Sequence, residues 1–349
     1  MALSYLDVSP LILLYLFLVF LLLIPLLWFI YEKSKRKTFT VSPGIQNSIV
    51  EKTDQEWILY HNNFSLCSRK IRILLDEQDV YYQSRHIDLI ETGKYQTLSR
   101  EFLGVNPEGT VPVLLHFGKP VYESHEQLLY LAKHLTKAKV LLPNEDKKVD
   151  IMKYWIDKSS LKGKPDENLI NHAGNCVALL TPLLFTCMIN YIPFNKIMLG
   201  LLFHPEKQRV LIFLAMKYLG LKLFKETSHL ETLIIKSFEI MNQHLSDLEE
   251  LLAGHNGAWI IPDQYTLADV SWIVILHRLE ELQLLPLLIN NKKHVNDYYK
   301  RGKERPSFNE AIIKHSNLIL EKGLKDLNKE ITKKSSIASI HKKLKILNE

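Results

Sequence analysis

The stretch Trp57-Ile-Leu-Tyr60-His-Asn-Asn-Phe-Ser65-Leu-Cys67-Ser-Arg-Lys-Ile71-Arg-Ile-Leu74-Leu75-Asp-Glu-Gln78 carries two different periodicities side by side. Trp57 to Tyr60 is a short apolar run, the pattern of a strand, and His61-Asn-Asn63 closes it. From Ser65 to Gln78 the apolar positions Ile71, Leu74 and Leu75 recur at helical spacing, and Asp76-Glu-Gln78 ends the run. Val80 to Asp88, biased to β-branched and aromatic residues, reads as a second strand. A helix between two such strands is a crossover, so the strands should be parallel. After a poorly patterned stretch, Asn106-Pro-Glu-Gly109 is a turn, Val111 to Phe117 a third strand, Gly118-Lys119 a hairpin turn and Pro120 to Tyr122 a fourth strand. Ser124 then starts a helix through Leu128, Leu129 and Leu131. The order is that of a compact α/β unit, βαβ followed by ββα.

Upstream, Leu11 to Tyr31 are 21 consecutive uncharged residues, enough at about 1.5 Å per residue to cross a hydrocarbon core of about 30 Å. A cleaved signal peptide would have a shorter apolar region after a basic start. Here the start has Asp7 and no basic side chain, no small-x-small site follows, and Trp28 and Tyr31 stand where interfacial aromatics belong. Lys33, Lys35, Arg36 and Lys37 come next, which predicts a single-pass N-terminal anchor with the body on the cytoplasmic side. Residues 38–55 are polar, contain Pro43-Gly44 and read as a linker.

Downstream of residue 145 the patterns are helical, with no convincing strand and no internal repeat. Phe238 to Ala253 is amphipathic, and Thr266-Leu-Ala-Asp269 fits a capping box ahead of Val270 to Leu282. Val177 to Asn195 holds 19 uncharged residues, and Arg209 to Phe224 is also very apolar. Buried core helices, a greasy ligand site or membrane-contacting patch, and a second span weakened by Pro182, Pro193 and Asn190 all remain open for this region. Residues 322–349 carry eight lysines against three acids and read as a solvated or partly helical basic tail.

Composition narrows the function. The net charge of +6 is concentrated at the two ends, leaving residues 38–321 nearly neutral, so nucleic-acid binding has no basis. Three cysteines (Cys67, Cys176 and Cys187) without metal-like or C-x-x-C spacing argue against a disulfide scaffold or zinc ribbon and for a reducing compartment. His61, His86, His172 and His277 lack metal-ligand spacing, and no metal is expected.

Four motifs then meet in order. Tyr60 to Arg72, Asn106-Pro-Glu-Gly-Thr-Val111-Pro112-Val-Leu, Val121-Tyr-Glu123-Ser124 and Asp263-Gln-Tyr-Thr-Leu-Ala-Asp269-Val together resemble the glutathione transferase superfamily, over about Trp57 to Leu320. Ser65-Leu-Cys67-Ser68 is similar to the tetrachlorohydroquinone dehalogenase branch, and Tyr265 to Leu279 with Tyr298-Tyr299 and Phe308-Asn309 is similar to ganglioside-induced differentiation-associated proteins. Those relatives carry their membrane span at the other end, so the resemblance does not carry organelle or partner. It implies a thioredoxin-like N-terminal domain over residues 56–137 and an all-α C-terminal domain over 145–321, here preceded by the anchor of residues 1–37, the linker 38–55 and followed by the tail 322–349.

The resemblance also implies the chemistry. Glutathione reacts as its thiolate, and a free thiol with a pKa near 8.5 is mostly protonated at neutral pH. Ser65 matches the position of serine-type transferases, where a hydroxyl donates to the sulfur and a helix N-terminus adds positive potential. The alternative for Ser65 is an N-cap alone. Cys67, in the same first turn, is either a nucleophile for a mixed disulfide with glutathione or a small buried hydrophobe. Val111-Pro112 matches the cis-proline turn that pairs with the cysteinyl backbone of glutathione. Glu123 and Ser124 match the pair that holds its γ-glutamyl end, the alternative being a strand end and helix cap. Cys176 and Cys187 read as packing residues, and Thr266 and Asp269 as structural.

The expected function is a membrane-anchored glutathione S-transferase-like enzyme, conjugating or exchanging glutathione, as co-substrate, with a small hydrophobic electrophile or lipid-like substrate; homodimerisation stays open. The alternative is a non-catalytic, membrane-tethered adaptor of the same fold.

Overall fold

The computed structural model describes residues 9–135, 140–255, 257–333 and 335–348. The first eight residues of the expected anchor segment, the expected end of the α/β domain at residue 137 and the last residue of the expected tail lie outside the described residues. A long helix α1 (Pro10–Lys35) leads into the α/β domain: β1 (Gly44–Ile45), β2 (Trp57–His61), α2 (Leu66–Glu77), β3 (Gln83–His86), α3 (Arg100–Val105), β4 (Val113–His116), β5 (Lys119–Tyr122) and α4 (Ser124–His134). The helical domain comprises α5 (Asp146–Lys158), α6 (Ala173–Leu180), α7 (Pro182–Met188), α8 (Phe194–Phe203), α9 (Lys207–Leu219), α10 (His229–Ala253), α11 (Leu267–Glu281), α12 (Leu285–Leu288), α13 (Lys293–Glu304), α14 (Pro306–Ala311), α15 (Leu318–Ile331) and α16 (Ser336–Asn348). The fold is thus a thioredoxin-like domain followed by an all-α domain. Beyond residue 145 the described residues form helices and one isolated bridge, Ile261 to Gln264.

The sheet runs in the order β1-β5-β4-β2-β3. β2 and β3 are parallel, with Tyr60 opposite Arg85, as the crossover requires. β4 is antiparallel to β2 and to β5. All of β2 is buried because both faces are covered: Trp57 and Leu59 join the core shared with α2 and α4, whereas Ile58 and Tyr60 pack with Phe102 and Val105 of α3. At the end of β2, the Arg72 guanidinium donates to His61 Nδ1 (3.1 Å), so Nε2 carries the proton and donates to Ser84 Oγ at 2.7 Å.

Two expectations need correction. Residues 38–55 are not a free linker: Gly44 and Ile45 add a fifth strand to β5, Val50 N–H donates to the Gly118 carbonyl (3.0 Å), and Phe39 N–H donates to Pro107 (3.2 Å). Backbone pairing at a sheet edge needs no apolar pattern, so composition does not reveal it. Of the two readings of the lysine-rich tail, the solvated one is corrected and the helical one stands, with α15 and α16 among its described residues. Leu320, Leu327, Ile337, Ile340 and Leu344 are buried at helical spacing between the lysines, and Gly323 of α15 lets its helix close onto Met188 of α7, where a Cβ would lie 2.2 Å from the Met188 side chain. The uncharged stretch after Val177 resolves into the buried helices α6 and α7, with Cys176 and Cys187 in the core and their thiols pushed up to about 12 by burial.

The two domains are joined through a buried ion cluster. Glu281 at the end of α11 accepts from both terminal nitrogens of Arg69 on α2 (3.0 and 2.8 Å) and lies 2.8 Å from Arg278 Nε. Burial alone would raise its carboxyl, but Arg69 and Arg278 overcome this and hold it down at about 2. A depressed acid pKa stabilises the fold above the unfolded value of about 4.5, and that contribution is lost as pH falls towards 2. Glu281→Gln, which leaves two guanidiniums short of their anion, should cost about 3–5 kcal/mol in urea denaturation at neutral pH. The gap between wild type and variant should stay constant above about pH 4.5 and shrink below it.

Candidate active site

The loop from β2 to α2 is fixed from both domains. Asn62 is fully buried: its Oδ1 accepts from Phe64 N–H (2.8 Å), and its Nδ2 donates to the Ile87 carbonyl (2.8 Å) and Thr92 Oγ1 (2.9 Å). Arg69 Nε donates to the Asn63 carbonyl at 3.1 Å and Arg278 Nη2 to the Phe64 carbonyl at 2.6 Å. The next residue, Ser65, is therefore held in place as the N-cap of α2. Its Oγ accepts from Ser68 N–H at 3.2 Å, which uses an oxygen lone pair and leaves the hydroxyl proton free to donate. The first N–H groups of the helix have no intrahelical acceptor and add positive potential at the same end.

Opposite this end lies the Val111-Pro112 bond, which is cis as expected. The Asn106 side chain donates to Thr110 O (2.8 Å) and Oγ1 (3.0 Å) before it, and Gln127, fully buried, donates from Nε2 to the carbonyls of Pro112 and Val121, both at 2.9 Å. Glu123 adopts φ +66°, a left-handed conformation that costs a non-glycine residue about 1–2 kcal/mol. Partial desolvation, then Glu108 and Glu126, push its carboxyl up. Ser124 follows as the first residue of α4.

Ser65, Cys67, Val111, Pro112, Glu123 and Ser124 all border one cavity of about 600 Å³. So do four residues the sequence did not single out: Lys70, His125, His204 and Arg209. Lys70, one helical turn beyond Cys67, donates to Ser159 O (3.3 Å) and Oγ (3.2 Å); burial pulls its ammonium down to about 8, partly offset by Cys67. The spacing from Cys67 was visible, but a lysine on an amphipathic helix normally faces water. His125 follows the Glu123-Ser124 pair; its buried Nε2 has no hydrogen-bond partner among the described residues, and burial followed by Lys70 holds the ring neutral, at about 3. His204 comes from the turn after α8 and Arg209 from the first turn of α9, and Arg209 pairs with Glu91 of the first domain at 2.9 Å. Nothing in their local sequence marks them.

Comparison with known families fits this geometry. Residues 64–134 match the glutathione S-transferase N-terminal domain, and residues 224–312 match the glutathione S-transferase C-terminal domain. The chain thus carries both glutathione S-transferase domains, in that order. Among curated proteins it is similar to a tetrachloro-p-hydroquinone reductive dehalogenase of Sphingobium chlorophenolicum, 22% identical over 273 residues, covering 73% of this chain and 95% of the relative. It is similar also to the glutathione S-transferase TCHQD of Arabidopsis thaliana, again 22% identical, covering 74% and 90%. Of solved structures, the β-etherase LigF of Sphingobium sp. strain SYK-6 superposes with a TM-score of 0.58 at 19% identity, over 74% of this chain and 99% of that one. The resemblance to LigF is one of fold.

Gln127 ties the proline turn to this transferase domain. Gln127→Leu leaves the Pro112 and Val121 carbonyls buried without their donor, and should cost about 1–3 kcal/mol in chemical denaturation.

Proposed function

We propose that this chain is a membrane-anchored glutathione-dependent transferase that joins glutathione to a small hydrophobic electrophile. One observation carries the reading: residues from three separated segments, each matching a glutathione-contacting position of the superfamily, border a single cavity that receives the uncommitted Ser65 hydroxyl. In this reading the Val111 backbone pairs with the cysteinyl unit, Ser124 and the N-terminus of α4 receive the γ-glutamyl carboxylate, and Glu123 receives its ammonium. The thiol loses its proton to solvent, and the thiolate accepts the Ser65 hydroxyl hydrogen bond beside the positive end of α2. Its sulfur then forms a bond to the electrophilic carbon while the leaving group departs with the bonding pair.

Cys67 offers a second use of the same site, favoured by its half-buried free thiol one turn from Lys70 and by the dehalogenase relative. As a thiolate it would attack the sulfur of a glutathionyl adduct, displacing the carbon group as an anion that takes a proton. The mixed disulfide is then released by a second glutathione as glutathione disulfide. The anchor is supported by α1: 26 residues long, about 39 Å at 1.5 Å per residue, with its apolar window wholly uncovered by the body. The scaffold alternative loses one motive, because the lysine-rich end is folded onto the body.

Calorimetry on the full chain should detect glutathione binding; no heat at millimolar glutathione overturns the proposal. Ser65→Ala should lower kcat/KM for an activated aryl chloride by about 10–100-fold at neutral pH, the worth of one charge-assisted hydrogen bond. The deficit should narrow at alkaline pH, where the thiol ionises unaided. Cys67→Ala should leave conjugation intact and abolish thiol exchange.

A further inference from the structure

The α8–α9 hairpin lies outside both matched family regions, and it leaves apolar surface uncovered. On α8, Ile197 and Gly200 are buried while Phe194, Met198 and Leu202, four residues apart, are exposed. On α9, Val210, Phe213 and Met216 are buried, whereas Leu211 is 56% and Tyr218 88% exposed. Each helix therefore has an inner apolar stripe, which the core uses, and a second one that it does not.

Continuity, charge and access say what covers the second stripe. The end of α1 is docked beside α8: the rings of Trp28 and Phe29 lie 6.5 and 6.0 Å from that of Phe203, and the Arg36 guanidinium sits 4.7 Å over the same Phe203 ring. Arg36 also donates to the Leu98 carbonyl at 2.8 Å, and Glu32 is shared between Arg36 and Arg100 of α3. If Trp28 and Tyr31 mark the depth of the membrane interface, then Phe203 at the end of α8 sits at that depth too. Residues 194–225 carry six lysines and arginines against Glu206 alone, beside the basic flank of α1, as a surface facing anionic headgroups would. Finally, the turn between the two helices, with His204, Pro205 and Glu206, and Arg209 at the start of α9 are part of the cavity wall. α8 is held there by Gly200, which admits the Tyr95 ring of the first domain where a Cβ would lie 2.7 Å from its oxygen.

We propose that the α8–α9 hairpin lies on the surface of the bilayer that receives α1, and that the cavity takes its electrophile from the lipid phase beside the His204–Arg209 turn. The inference rests on the anchored-transferase reading and adds a second contact with the same membrane. The apolar face enters the interfacial region while the lysines meet anionic headgroups, so the substrates are lipid-dissolved apolar electrophiles rather than water-soluble ones.

The test uses the full chain in nanodiscs of phosphatidylcholine with phosphatidylserine, in a Cys67→Ser background. An environment-sensitive fluorophore is attached after Leu22→Cys, Leu202→Cys, Leu211→Cys or Tyr81→Cys. Lipids bearing nitroxide on the acyl chain should quench the labels at 22, 202 and 211, whereas the label at 81, an exposed position between α2 and β3, should respond only to a water-soluble quencher. If position 22 is quenched by lipid but 202 and 211 only from water, the hairpin contact is overturned and the anchor stands. If position 22 is not quenched by lipid, the anchor falls and the hairpin contact with it. Labels at 202 and 211 shielded from both quenchers would mean a second copy covers the face, which also overturns the proposal. In the otherwise native sequence, Leu211→Glu with Tyr218→Glu should raise KM for a membrane-dissolved electrophile about tenfold, the factor that one lost leucine burial corresponds to, with no change for a water-soluble one. An equal change for both substrates, or none for either, overturns lipid-phase delivery.

Discussion

One buried carboxylate, Glu281, lets the two domains share a polar interior. Arg69 and Arg278 are almost wholly buried, and two guanidiniums facing one anion leave an uncompensated charge. Backbone carbonyls make up the difference: Arg69 also donates to Asn63 and Arg278 to Phe64. Those two carbonyls belong to the residues directly before Ser65. The domain interface and the entry to α2 are thus one structure, and the interface cannot be loosened without releasing the loop that sets the position of the serine. The same logic extends along α2, where Arg72 donates to the Ala311 carbonyl at 2.7 Å and Glu77 is paired with Arg305 from beyond α13. A helix that would be amphipathic in isolation buries its polar face as well as its apolar one.

That burial of both faces explains what the sequence could and could not disclose. Apolar periodicity reports burial when burial is apolar, and so β2, α2, β4 and α4 were legible, as was the capping box: Asp269 accepts from the Thr266 and Ile260 N–H groups at 2.7 and 2.9 Å, fully buried. Arg69, Lys70 and Arg72 carry the charge of a solvated face, and nothing local says that they are interior. Strand β1 was missed because its pairing is made by main chain alone. The sequence leaves the final helices as one of two readings and does not foretell their burial, because eight lysines outweigh a few leucines and isoleucines in any compositional reading, although Leu320, Leu324 and Leu327 do keep helical spacing. The residues around the cavity divide the same way. Those on α2, on the proline turn and at the start of α4 sit in short motifs, whereas His204 and Arg209 reach it only through the path of α8 and α9.

The rigid join at the end of α1 changes what an anchor means for such a site. A free tether fixes a protein near a membrane but leaves its orientation to diffusion. Here Glu32, Arg36, Trp28 and Phe29 hold the end of the helix against α3 and α8, so any bilayer that accepts α1 also fixes which side of the body faces it. The side so fixed is the one where part of the cavity wall is made by α8 and α9, between the two matched family regions.

Inside the cavity, charge is unevenly spread. Lys70 and Arg278 lie towards the start of α2, Glu108 and Glu123 around the other wall; burial lowers Lys70 to about 8, whereas partial desolvation, then Glu108 and Glu126, raise the exposed Glu123. Such groups are poised to respond to a ligand, because coupling is reciprocal. An anion beside Lys70 favours its ammonium by the same free energy with which that ammonium favours the anion, and a cation beside Glu123 favours its carboxylate likewise. In the proposed reading these charges favour one direction for a zwitterionic ligand, its anionic sulfur towards α2 and its ammonium towards Glu123. In the reverse direction each end would meet its own sign in a partly desolvated setting, where the interaction is screened least. These charges would act together with the contacts proposed for Ser65, Val111 and Ser124, and the Arg69–Glu281–Arg278 cluster behind α2 holds the start of that helix in place.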